Sequence, residues 1–139
     1  MDALAGALLV IGGAAALGHL EAVRREKRAR ELAAVITALE LLESHVVYGQ
    51  VLLADALRRV GEAQPGAGWA FLRAAERLEE GWPASRALRE SFSAWAARSA
   101  LLESDLAPLV HLAPVLGLSE GGDQARHLRW ARSQLEVKL

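Results

Sequence analysis

The sequence predicts an all-α protein: a helical bundle of about five to six helices, preceded by an N-terminal membrane helix. Three observations carry this. The chain is rich in Ala and Leu and has only three aromatics besides its four Trp, a composition that favours helices. Apolar residues recur at helical spacing through most of its length, and no run alternates apolar and polar residues for long. The charge is uneven: the first twenty residues hold one charged side chain, Asp2, whereas all sixteen Lys and Arg come later.

From Ala3 to Leu20 the chain reads ALAGALLVIGGAAALGHL. A helix needs ~20 residues to cross a hydrocarbon core, and this uncharged run is close to that. The segment EAVRREKRAR follows, carrying Arg24, Arg25, Lys27, Arg28 and Arg30. A cleaved signal peptide would place its basic residues before the apolar run, the inverse of this order. A buried core helix is compatible with the modest hydrophobicity and with Gly6, Gly12, Gly13 and Gly18. A membrane anchor with a basic C-terminal flank fits best, and the positive-inside rule then puts the body of the chain in the cytoplasm. The expected division is an anchor segment over 1–20 and a cytoplasmic helical bundle over 21–139. The five basic residues would flank lipid and attract anionic headgroups by about 1 kcal/mol each.

The first helix is expected to run on through the basic segment to Tyr48, with Leu32, Val35, Ile36, Leu39, Leu42 and Val46 as its apolar stripe and Glu40 and Glu43 near the edge. Gly49 then ends it, in the left-handed conformation that glycine tolerates. The short connection predicts an antiparallel hairpin with a second helix from about Val51 to Glu62. The turn QPGAG closes that helix. A third carries Phe71, Ala74, Ala75 and Leu78 and ends at Gly81. Pro83 suits the first turn of a fourth, which carries Leu88, Phe92, Trp95 and Ala96. A fifth spans about Leu101 to Leu116, with Leu102, Leu106, Leu109, Val110, Ala113 and Leu116 in register and a kink or restart expected at Pro108 and Pro114. GLSEGGD is a loop, and Leu128, Ala131, Leu135 and Leu139 mark a sixth helix still periodic at the last residue.

Function classes narrow by exclusion. A formal net charge of −1 provides no global field for nucleic acid. The absence of cysteine removes disulfides, thiolate zinc sites and cysteine nucleophiles together. No HExxH, Walker A, GxSxG or GxGxxG motif is present, and His19, His45, His111 and His127 lack ligand spacing. No catalytic residue, metal ligand or cofactor site is therefore assigned. Glu40 and Glu43 read as solvated carboxylates on a helix face. Trp69, Trp82, Trp95 and Trp130 occur one per helix or turn without interleaved Arg or Lys, so core packing accounts for them better than a stacking platform.

Two stretches carry a resemblance. LELLESHVVYG, Leu39 to Gly49, resembles the stage III sporulation protein AB family, with Leu39, Leu42, Glu43, Val46, Tyr48 and Gly49 in the family's L-x-x-L-E and Tyr-Gly positions. The family's following Thr-Pro-Leu is represented by Val51, Leu52 and Leu53, then Asp55 and Ala56. LVHLAPVLGLSEGGDQAR is similar to a second family pattern, filled by Leu109, Leu112, Leu116, Gly117, Gln124 and Arg126, with Ala113 in a Gly place and Glu120 in an Asp place. The resemblance implies a helical domain similar to the cytoplasmic domain of type II secretion and type IV pilus platform proteins. It also implies a non-enzymatic scaffold in the channel between mother cell and forespore during endospore formation. Implied partners are the membrane, other sporulation channel proteins and an associated cytoplasmic ATPase, with a possible homo-oligomer and the bundle on the mother-cell side. Leu42, Glu43, Tyr48, Gly49, Leu53, Gly81, Leu116, Gly117 and Gln124 are expected to serve structure or partner contact, with Tyr48 and Glu43 fixing the hairpin or meeting a partner. The family usually ends in a second membrane segment, which does not occur before Leu139. A general membrane-tethered helical adaptor unrelated to sporulation is the alternative.

Overall fold

The computed structural model describes residues 2–49, 52–116 and 121–139. Gly117 and Glu120 therefore lie outside the described residues, as do the side chains of Val47 and Tyr48. Among the described residues every regular element is helical.

The first element, α1, is one continuous helix from Asp2 to Glu43. At 1.5 Å per residue its length is about 63 Å. It contains no proline, and Ala, Leu, Glu and Arg dominate its sequence. The two halves behave differently. Residues 2–27 are all exposed, whereas Leu32, Val35, Ile36, Ala38, Leu39 and Leu42 are buried.

Past Glu43 the helix does not end in a left-handed glycine. Ser44–Tyr48 form a π-helical turn closed by the Gly49 N–H donating to the Ser44 carbonyl at 3.1 Å. Gly49 has φ −86° and ψ −15°, ordinary right-handed values that any residue adopts. The expectation of a positive φ there is overturned. A π turn widens the helix by one residue per hydrogen bond, which unwinds the end of α1 without needing glycine.

α2 follows over Leu53–Ala63 and α3 over Gly68–Glu79. These two form the close pair of the bundle, and they meet through glycine. A Cβ on Gly68 would lie 2.4 Å from the Gly61 carbonyl oxygen. The turn between them places Gly66 at φ +90°. The expected hairpin of α1 with α2 is present only as a lesser contact, because α1 packs chiefly along α6, the last helix, over Gly121–Val137.

Gly81 ends α3 as expected, at φ +95°. The Trp82 N–H reaches the Arg77 carbonyl at 3.0 Å and the Gly81 N–H reaches Leu78 at 3.1 Å, the paired bonds of a Schellman turn. α4 spans Ala84–Ala97 with Pro83 at its N-cap, one position before the first helical residue. The expected fifth helix is split. A 3₁₀ turn at Glu103–Leu106 leads into the short α5, Ala107–Leu112, with Pro108 in its first turn, and turns follow through Leu116. Proline explains the restart, since it lacks the N–H donor a continuing helix needs. Leu102 consequently falls outside the helix and is 52% exposed.

One core joins these elements. Leu39, Leu42, Leu57, Phe71, Leu88 and Leu128 are essentially inaccessible within it. Phe71 and Phe92 meet edge to face with centroids 5.3 Å apart, tying α3 to α4.

Candidate functional site

Three polar assemblies decorate this core. The first involves the Glu43 that both the apolar stripe and the family pattern single out. It is not a solvated carboxylate, because only 7% of its surface is accessible. Arg129 Nε donates to Glu43 Oε1 at 2.9 Å, and an Arg132 guanidinium nitrogen lies 3.3 Å from Glu43 Oε2. Arg132 also pairs with Glu40 at 3.3 Å. Two carboxylates three residues apart on α1 thus face two arginines three residues apart on α6. Spacing of three keeps each pair on one helix face, so the four charges meet when the helices lie side by side. Glu43 fixes the α1–α6 contact and not the α1–α2 hairpin.

The other motif residues are mostly packing positions. Leu42 and Leu116 belong to the buried core, and Leu53 packs against it half-buried. Gln124 is buried near the start of α6. Gly81 serves the α3–α4 turn.

The second assembly joins the basic flank to the bundle. Arg28 donates through Nε and a terminal nitrogen to the two carboxylate oxygens of Asp105, at 2.8 and 2.6 Å. Asp105 is 1% exposed and also accepts the Leu102 N–H at 2.8 Å. Burial pushes its carboxyl pKa up, but the Arg28 bonds and the Leu102 amide outweigh that and hold it below the ordinary range. One turn further along α1, the Glu31 carboxylate accepts the Ala100 N–H at 3.1 Å. Of the five cations expected to flank lipid, Arg28 is turned inward to the bundle. Arg25 pairs with Glu21 at 3.0 Å and Lys27 lies 4.0 Å from Glu31. Arg24 and Arg30 are exposed and form no ion pair among the described residues.

The third assembly involves the tryptophans, of which Trp95 alone lies fully in the core and Trp69 packs half-buried against it. Trp69 lies between Arg73 and Arg98, whose guanidinium carbons are 5.3 and 4.5 Å from its ring. Trp82 lies between Arg77 and Arg86 at 4.8 and 4.4 Å. Glu90 pairs with both Arg73 and Arg77, and Arg73 first, then Arg77, holds its carboxyl below the usual range despite burial. Arginine is interleaved with tryptophan in space although it is not adjacent in sequence. Trp130 is 40% exposed and leans on His111, with centroids 4.7 Å apart.

No motif in the sequence marks Asp105, Glu31, Arg129 or Arg132 as a functional position. The matched three-residue spacing of the acidic and basic pairs was the available signal for the last two. Nothing local marks Asp105, whose partner is far away in the chain. Among the described residues no group of three or more His, Cys, Asp and Glu side chains could hold a metal ion.

The sequence profile of stage III sporulation protein AB matches residues 3–139, almost the whole chain. The chain belongs to the stage III sporulation protein AB family. A solved structure of stage III sporulation protein AB (SpoIIIAB) superimposes with a TM-score of 0.73 at 23% identity, covering 81% of this chain and 91% of that one. At that identity the superposition establishes the shared fold. No match is found among curated protein sequences. Membership of this family makes the protein a sporulation protein. It also accounts for the two sequence stretches noted above, whose described residues lie on α1 and its π turn, on α5 and the turns after it, and at the start of α6.

Proposed function

We propose that this chain is a non-enzymatic membrane scaffold of the channel complex between mother cell and forespore. Residues 1–20 are its anchor and residues 21–139 its cytoplasmic bundle, on the mother-cell side. The observation that carries the reading is the exposed apolar half of α1. Leu4, Leu8, Leu9, Val10, Ile11, Leu17 and Leu20 are each at least 64% exposed. Burying such side chains is worth roughly 1.5–3 kcal/mol each. Seven of them in water forgo an amount comparable to the ~5–15 kcal/mol that stabilises a whole domain. A bilayer removes that penalty, and α1 is long and apolar enough to cross one. The basic flank beyond Leu20 favours a cytoplasmic bundle.

The polar residues support a scaffold over an enzyme. The carboxylates with lowered pKa, Asp105 and Glu90, are both engaged by arginines that tie elements together. Other channel proteins and an associated cytoplasmic ATPase are the partners of this reading, and the bundle could also meet a second copy of itself.

Three measurements test it. Membranes from sporulating cells are extracted with alkaline carbonate; the chain should stay in the pellet, and recovery in the supernatant removes the anchor. The chain has no cysteine, so Ser133→Cys gives a single thiol on α6. An impermeant maleimide should label it only after lysis. Labelling of intact cells would reverse the orientation. Co-purification of the tagged full chain should recover other sporulation membrane proteins, and their absence would sink the scaffold role.

A further inference from the structure

Where α1 leaves the bundle, an open notch of about 540 Å³ lies between the helix and the turn after α4. Leu20, Glu21, Arg24, Arg25 and Arg28 line one side, and Ala100 and Leu102 the other. Leu20, Arg24 and Arg28 are four apart on α1, so the face that packs on the bundle continues past its rim with two arginines on it. The opposite wall is fixed in place by the Glu31 carboxylate on the Ala100 amide and by Asp105, which holds both Arg28 and the Leu102 amide. The notch is therefore built, and its wall presents an exposed leucine beside arginine.

The geometry points to an anionic phospholipid headgroup as the occupant of this notch, its phosphodiester on Arg24 and its glycerol and first acyl carbons against Leu20 and Leu102. This rests on the membrane reading above. Charge supports it. Glu21 offsets Arg25 and Asp105 offsets Arg28, which leaves Arg24 as the net positive charge, matching one singly charged phosphodiester. The Arg25–Glu21 pair is 77% and 66% exposed, so it is held weakly and Arg25 is free to turn to the ligand. Depth supports it too. If Leu20 marks the hydrocarbon edge, the Arg24 backbone stands about 6 Å beyond it along the helix. The headgroup layer on each side is roughly 5–8 Å thick, so Arg24 falls at the phosphates. A lipid meets both the cationic and the apolar walls, whereas a free phosphate would meet only the first.

Arg30 provides the control. It lies six residues beyond Arg24, turned by about 240° around the helix, on the same basic flank but away from the notch. The full chain in detergent is examined by native mass spectrometry with phosphatidylglycerol, phosphatidylcholine or inorganic phosphate added. One phosphatidylglycerol should be retained in preference to phosphatidylcholine. Arg24→Gln should lower that retention by roughly fivefold or more, Arg24→Lys should restore it, and Arg30→Gln should leave it at the wild-type level. Equal losses for Arg24→Gln and Arg30→Gln would mean diffuse attraction to a charged surface and would overturn the notch while leaving the anchor standing. Retention of inorganic phosphate in place of the lipid would overturn the headgroup assignment. The anchor itself stands or falls separately, by carbonate extraction.

Discussion

Glu43 and Asp105 are carboxylates that lose nearly all contact with water on folding, and each is met by arginine from a distant part of the chain. Removing one partner from such a group leaves the other desolvated and unpaired, which is the expensive outcome. Glu43→Ala should cost about 3 kcal/mol, discounted from the fully buried case because Arg129 is 58% exposed. Chemical denaturation of the wild type and the variant checks this, and a change under about 0.5 kcal/mol, typical of surface sites, would place Glu43 outside the structural framework. Asp105 adds a pH dependence. Its folded pKa is depressed, so its contribution is complete above the unfolded value of about 3.9 and is lost as pH falls through the folded pKa. Asp105→Ala should therefore melt well below the wild type at neutral pH, and the gap should narrow as the pH is taken below 4. A gap that stays constant with pH would disprove the pairing with Arg28.

At the scale of the helices, three glycines separate three physical situations. Gly81 holds a positive φ in the Schellman turn, so Gly81→Ala should cost about 1–3 kcal/mol through backbone strain. Gly68 has an ordinary backbone but no room: its Cβ would meet the Gly61 carbonyl. Gly68→Ala should force α2 and α3 apart, at about 1–3 kcal/mol. Gly49 has a right-handed backbone, and Gly49→Ala should be neutral or stabilise by about 0.4–1 kcal/mol through the unfolded chain. Thermal melts of the three variants order them, and a Gly49 variant as damaging as the Gly81 one would mean that α1 ends in a left-handed cap after all.

The whole molecule divides at the rim of the bundle. Residues 2–27 are exposed throughout, and the first side chains to engage the bundle strongly are Arg28, Glu31 and Leu32. Deleting residues 1–20 should leave a soluble domain with a cooperative melt, since no packed residue is lost. Deleting as far as Glu31 should lower the midpoint by roughly 10 °C, because the Asp105 and Ala100 tethers go together. A broad, non-cooperative melt of the shorter deletion would show that the bundle depends on the anchor.

Sequence alone determined the features that are local or periodic. An uncharged apolar run, the apolar stripes of the longer helices, a glycine with the turn chemistry of Gly81 and a proline that restarts a helix all act within a few residues of themselves. Their physics is written beside them in the chain. The family stretches were legible for the same reason, as short patterns at fixed spacing. Tertiary structure decided which helices lie together and where each charge goes. α1 lies along α6, where Leu39 and Leu42 share a core with Leu128 and Leu135 and where Glu40 and Glu43 meet Arg129 and Arg132, 86 residues from Glu43 to Arg129. Arg28 left the lipid flank for Asp105 because an acid that caps a buried turn needs a counter-charge. Trp69 and Trp82 lie under arginines supplied by neighbouring turns and helices. Gly49 kept a right-handed backbone because a π turn closed the helix first. Pairings between distant residues, and the choice between two ways of ending a helix, depend on what the rest of the fold brings near, and no window along the chain contains that.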